Sequence, residues 1–316
     1  MTEIVTAATP RPDEPASREQ ARSLWTDAWD IMRRRPIFWI AMVLIVVFVL
    51  MAVWPALFRA DNPLLPNMCL LERARQAPGV GGSAFGFDSQ GCSIYDQTIY
   101  GARASILVGI ITTIVASVFG AILGTIAGYL EGWVDAVLSR IADVFFALPL
   151  LLGAIVIMTA LPTPSSPSTG NYWLSIFRVV LAMALLGWPY PFRIMRSAVI
   201  QVKPNEYVLA ARALGASPLR MVTSHVVPNS LSPVIVVATN DLGSYIATEA
   251  TLSFLGVGLP SWIVSWGGSI SNASSLGLIR QAPFMLLFPS LFLCLTILSF
   301  IMLGEVVRDA LDPKLR

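Results

Sequence analysis

Lysine is almost missing from this 316-residue chain, which carries two, Lys203 and Lys314, against nineteen arginines. Neither sits in a Gly-x4-Gly-Lys-Ser/Thr loop, whose backbone amides and lysine cradle nucleotide phosphates, so the chain has no hydrolase motif of that kind. Histidine occurs once, His225, and cysteine three times, at 69, 92 and 294, with no Cys-x-x-Cys or His-x3-His spacing. A metal centre of the usual ligand spacings is therefore excluded. The lone histidine also lies outside any Gly-x-Ser-x-Gly or His-Glu motif, which leaves an intramembrane enzyme without support. Charge is scarce: Asp, Glu, Lys and Arg make up 13% of the residues, about half the share in an average soluble domain. The first 30 residues lack the apolar core of a signal peptide.

What is present in excess is apolar side chain. Hydrophobic residues make up 55% of the chain and its mean hydropathy is +0.70, which predicts an all-α, polytopic membrane protein. Six apolar runs, near 37–58, 104–130, 138–161, 172–190, 231–256 and 284–304, approach the roughly 20 residues that cross a ~30 Å hydrocarbon layer. Ahead of them lies a tail rich in Pro, Ala, Thr and acids, read as mostly disordered. At its end Leu24, Trp25, Ala28, Trp29 and Met32 share a helical face, so a helix along the membrane surface is expected. Arg33, Arg34 and Arg35 then precede the first run and favour a cytoplasmic N-terminus. With that orientation fifteen Lys and Arg residues fall on the cytoplasmic side, while Arg59, Arg73, Arg75, Arg103 and Arg280 fall outside and Arg178 lies within a run. The expected division is a cytoplasmic tail over 1–35, a first span over 36–58, an outer loop over 59–103, a five-helix core over 104–304 and a cytoplasmic tail over 305–316.

The longest polar-flanked insert of the second half is 205–228, NEYVLAARALGASPLRMVTSHVVP, which this orientation places in the cytoplasm. Asn205 reads as an N-cap, Glu206 puts an acid in the first turn, and Val208 to Leu214 continue for about three turns. Gly215 should stop that helix, because the residue after a C-cap usually needs positive φ. Ser217-Pro218 restarts a helix expected to end at Pro228, with Arg212 and Arg220 on the polar surface. An ordinary helical loop between two spans has the same local pattern. In the outer loop, Cys69 and Cys92 face an oxidising compartment, where either a disulfide or two unrelated thiols is open. Cys294, in the last run, reads as a small packing residue.

Ala210-Ala211, three residues, Gly215, nine residues and His225-Val226-Val227-Pro228 resemble the EAA motif, Glu-Ala-Ala-x3-Gly-x9-Ile-x-Leu-Pro, of permease subunits of bacterial ABC importers. Leu209 stands where glutamate is usual, His225 where isoleucine is, and Val227 where leucine is. Four further stretches are similar to permeases of the dipeptide/oligopeptide/nickel group, C-subunit type. They are Phe85-Gly86-Phe87-Asp88 with Tyr100-Gly101-Ala102-Arg103, Glu249 to Gly258, Trp266-Gly267, and Arg308-Asp309-Ala310-Leu311-Asp312-Pro313. Ser89-Gln90-Gly91-Cys92 departs from the usual Gly-Arg-Asp there, which suggests a subgroup with a stapled outer loop.

The resemblance implies a type I importer permease fold with six transmembrane helices, in the bacterial cytoplasmic (inner) membrane. It implies a homologous second permease, cytoplasmic ATPase subunits, an extracytoplasmic substrate-binding protein and surrounding lipid as partners, with no nucleic acid. No cofactor is expected on this chain; ATP and Mg belong to the ATPase subunits. The coupling surface is expected from Glu206, Ala210, Ala211, Arg212, Leu214, Gly215, Leu219, Arg220, Met221 and Pro228. Of these, Leu214, Leu219 and Met221 are the expected apolar anchors in an ATPase groove, and Arg212 or Arg220 the partners of its acids. The implied cargo is short peptides, with nickel or glycosides as alternatives inside the same family. A secondary transporter would want inverted repeats or ion ligands in mid-span, and neither is seen.

A charge at mid-bilayer costs at least ~2.5 kcal/mol on insertion scales, so each one near a span needs a reason. Glu249 either lines a translocation path, where it could hold a peptide amino group, or bonds neighbouring helices. Arg178 either lines the path or snorkels outwards. Asp241 is the third such group. Asp135, Arg140 and Asp143 read as a local ion-pair network, and Pro149 and Pro189 stand where they would kink their spans.

Overall fold

The structure, a computed structural model, describes residues 24–58, 60–63, 68–161 and 171–311. The tail up to residue 23 with Arg11, Arg18 and Arg22, then Arg59, then Asp312, Pro313, Lys314 and Arg316, lie outside the described residues, as do the side chains of Leu24 and Trp25. Among the described residues the regular structure is helical, apart from an isolated bridge between Phe87 and Ser93.

The chain opens with α1 (Leu24–Met32), which lies against the far end of the last helix with Ala28 buried and Trp29 exposed. After Arg33 and Arg34 comes α2 (Pro36–Val53), begun by a proline where a helix has no use for the missing N–H. Helix α3 (Ile94–Leu130) starts well before residue 104, so the last part of the expected outer loop is helix, capped by Ser93 on the Asp96 amide. Two bent pairs follow. α4 (Gly132–Phe146) meets α5 (Leu150–Ala160) at 84°, and α6 (Tyr172–Gly187) meets α7 (Pro189–Val202) at 46°. Pro149 and Pro189 begin the second member of each pair, as a ring that cannot continue a straight helix requires.

Next come α8 (Glu206–Ala213), α9 (Pro218–Met221) and α10 (Val227–Phe254). Short helices α11 (Trp266–Ala273) and α12 (Leu276–Gln281) precede α13 (Phe284–Leu311). Among the described residues four helices are long and apolar enough to cross a membrane: α2, α3, the unbroken Pro218–Phe254 and α13. The number rises to six if each bent pair is one span.

Helix α3 is the centre, packing against α2, α6, α7 and α10. Gly120, Gly124 and Gly128 explain how. A Cβ at these positions would fall 2.6, 2.5 and 2.9 Å from the carbonyl oxygens of Trp188, Phe192 and Arg196, so the bare stripe lets two backbones touch. Between helices in lipid, such close packing replaces the hydrophobic drive that water would supply. Three buried hydroxyls of α3 are satisfied locally: Thr98, Thr113 and Thr125 donate to the carbonyls of Ile94, Gly109 and Ala121.

Candidate functional site

The segment 205–228 is built around a turn that only glycine makes without strain. Gly215 has φ +83°; its amide donates to the Arg212 carbonyl at 3.0 Å, and the Ala216 amide reaches the Ala211 carbonyl at 3.1 Å. This pair of bonds is the Schellman ending, which satisfies the last carbonyls of α8. Ser217 then caps α9, its hydroxyl accepting from the Arg220 amide at 3.4 Å. Asn205 holds the N-cap position of α8 but makes no side-chain cap bond, and α8 is eight residues long rather than three turns.

The second helix does not end at Pro228. It passes through a π turn over Val222–Val226 and continues as α10 to Phe254. Pro228 has no N–H and its ring crowds the carbonyl one turn back. The ladder widens to accommodate it, the Val227 amide donating to the Val222 carbonyl five residues earlier. A feature read as a stop is a local widening of one long rod.

The turn faces two ways. Leu214 is 89% exposed and Leu219 75% exposed, flanking Gly215, and Leu209, in the usual glutamate place, is exposed as well. Met221, expected beside them as an anchor, is only 1% exposed. It packs with Val208, Val226, Met195, Val199 and Val234, so it seats the turn on α7 and α10 instead of projecting from it. Glu206, Ala210, Arg212, Arg220 and Pro228 are exposed, and Ala211 is half-buried.

Ion pairs tie the lead-in helix α7 to α4. Asp135 takes two bonds from the Arg196 guanidinium, at Nε and, at 2.6 Å, at Nη2. Arg193 Nη2 donates to Asp143 at 2.7 Å and its guanidinium lies over the Phe146 ring, 4.0 Å from the centroid. Lys203 Nζ donates to Glu131 at 2.8 Å and to the Tyr129 carbonyl at 2.9 Å. The expected local network therefore runs between helices; within α4, Arg140 and Asp143 stay 3.9 Å apart. Arg35 pairs with Asp309, joining the start of α2 to the end of α13.

Of the two charges expected on a path, Glu249 is fully buried and Arg178 half-buried. Glu249 is 0% exposed; its Oε1 accepts from Ser253 Oγ at 2.7 Å within α10, and its Oε2 is buried without a partner among the described residues. Arg178 does not snorkel free: it is half-buried and its Nη2 is buried without a partner among the described residues. Rotation of a helix about its axis decides both cases, and local sequence does not carry it.

At the opposite end, Cys69 and Cys92 are joined by a disulfide, with Cα atoms 4.2 Å apart. Asp88 accepts from the Gln90 and Cys92 amides, each at 2.8 Å, and from Gln97 Nε2 at 2.6 Å. Phe85 stacks on Phe288 at 4.0 Å, and Trp266 is buried with its Nε1 donating to the Thr98 carbonyl at 2.8 Å. A cavity of about 470 Å³ opens beside the disulfide, with Ser253 and Leu259 in its wall. Cys294 is exposed on α13 rather than packed inside. The glycine stripe of α3 was missed in the sequence although small residues four apart were its signal, whereas Val208 as the seat of the turn had no distinct signal.

The pattern of the family described as "binding-protein-dependent transport system inner membrane component" matches residues 120–316. That of the "N-terminal TM domain of oligopeptide transport permease C" matches residues 23–72. The oligopeptide transport system permease protein OppC of Bacillus subtilis is 34% identical over 298 residues, 94% of this chain and 92% of its own. The dipeptide transport system permease protein DppC of Alkalihalophilus pseudofirmus is 35% identical, over 98% of this chain and 96% of its own. Among solved structures, a chain of the inward-facing MetNI methionine ABC transporter aligns with a TM-score of 0.52 at 16% identity, covering 68% of this chain and 96% of that one, a likeness of fold alone. With one family pattern running from residue 120 to the end and relatives aligned over nearly the full length, this chain belongs to the inner-membrane components of binding-protein-dependent transport systems.

Proposed function

We propose that the chain is the membrane-spanning half of an ATP-driven importer for short peptides. It crosses the bacterial inner membrane six times, each bent pair counting as one span, with both termini in the cytoplasm. A tail over 1–35, a first span over 36–58, an outer cap that gives way to α3 at Ile94, and the core to 304 make up its parts. A homologous permease completes the path, an extracytoplasmic binding protein delivers the peptide, and ATP and Mg are bound by separate ATPase subunits, with no cofactor on this chain.

One observation carries the coupling role: two leucines stand almost fully exposed on a rigid Schellman turn whose other face is buried. Exposed leucine on an ordered cytoplasmic turn is an unfilled contact, and a groove on the ATPase fits it. Leu209 in place of glutamate makes that contact more apolar, with Arg212 and Arg220 left for partner acids. Met221 and Val208 position the turn from behind. The peptide cargo rests on the peptide-transport names of the relatives.

The test is a cysteine placed at Leu214 or Leu219 in the assembled complex. Either should crosslink to an ATPase subunit with a short bifunctional reagent, and ATP-dependent uptake of a labelled peptide should fall on crosslinking. A chain that purifies alone and drives uptake without ATP would overturn the reading.

A further inference from the structure

Where α4 turns into α5 and α6 into α7, a cavity of about 320 Å³ opens, lined by Leu148, Pro149, Gly187, Tyr190, Asp241 and Ser244. Asp241 lies near the middle of the unbroken helix Pro218–Phe254. It is half-buried, and among the described residues it has no hydrogen-bond or ion-pair partner. Glu249, two turns on, by contrast accepts from Ser253 Oγ through Oε1, while its Oε2 is buried without a partner among the described residues. A carboxylate at mid-span costs at least ~2.5 kcal/mol on insertion scales unless it faces water or a ligand.

The cavity is a consequence of the local sequence. Pro149 and Pro189 keep both bends from straightening. Gly187 lets Tyr245 lie against α6: a Cβ there would fall 2.2 Å from the Tyr245 hydroxyl oxygen. The volume is at the low end of the ~300–1,000 Å³ typical of ligand pockets, room for the end of a peptide rather than a whole one. An unpaired carboxylate calls for a cation with several donors, and Tyr190, 45% exposed, adds an aromatic face that favours the same charge.

Resting on the peptide-importer reading, we propose that this cavity receives the cationic amino terminus of the passing peptide, with Asp241 as its acceptor and Tyr190 and Ser244 beside it. That group is shared by every short peptide with a free amino terminus, so the site selects a chemical class without reading side chains.

Two measurements on the assembled transporter in membrane vesicles test it. In a Cys294→Ser background, which removes the exposed free thiol, Ser244→Cys should react about tenfold faster with a cationic methanethiosulfonate than with an anionic one, every rate being taken relative to that reagent's rate on a free thiol in solution. Asp241→Asn should erase that preference, and Tyr190→Cys is the second reporter if the first variant does not assemble. Equal rates for both reagents, or no reaction at either position, overturn the proposal. In uptake of a free-amino tripeptide, Asp241→Asn should cost roughly tenfold or more while basal ATP hydrolysis is kept, and Asp241→Glu should restore most of it. Unchanged uptake in Asp241→Asn overturns the proposal and leaves the importer reading standing. If the parent complex takes up no peptide with ATP, the importer reading fails and the proposal goes with it.

Discussion

The two ends of this molecule are held by opposite means. The disulfide end closes on itself, with Cys69 joined to Cys92, an Asp88 carboxylate filled by three donors, a buried Trp266 and the Phe85–Phe288 stack. The opposite end is held by ion pairs between α4 and α7 and finishes in a turn that leaves Leu214 and Leu219 uncovered. Self-satisfied contacts make the first a lid that needs no partner to be ordered. Unfilled ones leave the second a surface suited to the contact proposed for it.

That contrast can be broken from either side. The largest effect should come from Gly215→Val. Nothing crowds a Cβ there, but φ of +83° strains any L side chain, by about 1–2 kcal/mol and more for a branched one. Peptide uptake should drop by roughly tenfold or more while ATP hydrolysis persists, which parallel uptake and phosphate-release assays would reveal. Met221→Ala should cost about 3 kcal/mol of stability by emptying a filled core position, whereas Leu219→Ala should shift stability by less than about 0.5 kcal/mol. Thermal unfolding of the purified chain separates the two, and equal shifts would erase the distinction between seat and surface.

At the outer end, Cys92→Ser should weaken the cap by about 2–4 kcal/mol. Peptide mapping of unreduced protein should find Cys69 joined to Cys92 in the parent, and limited proteolysis should cut the variant first between residues 68 and 93. A double-mutant cycle on Asp135 and Arg196 should yield about 1 kcal/mol of coupling, at the upper end for partly exposed pairs because the fork is two-pronged. Smallest of all, Arg140→Ala should be silent within ~0.5 kcal/mol, since its distance to Asp143 is 3.9 Å and its side chain is open to solvent.

What the sequence disclosed follows from which forces act locally. Hydropathy alone marks α2, α3 and α13, because twenty apolar residues have one physical destination. Gly215 was legible because positive φ admits few residues, and Ser217-Pro218 because capping is a matter of neighbours. Pro228 misled because proline usually ends a helix, while a π turn lets the ladder pass it. Met221 and Leu219 look alike in sequence; only the position of α7 and α10 decides which is covered. Glu249 and Asp241 likewise sit two turns apart on one helix, and the first is fully buried while the bends leave the second in a cavity.

The uninterrupted helix from Pro218 to Phe254 has a further consequence. At 1.5 Å per residue its 37 residues reach about 55 Å, nearly twice a bilayer's hydrocarbon thickness. A rod of that length rocking by about ten degrees around its midpoint carries Leu219 and Ser253 about 5 Å in opposite senses. Ser253 is in the wall of the cavity beside the disulfide, so on the proposed coupling role a push at the Gly215 turn would reach it without any relay of side chains. Asp241, roughly 8 Å from the midpoint, would travel only about 1 Å. The two ends of the rod would thus swing oppositely around a nearly stationary fulcrum.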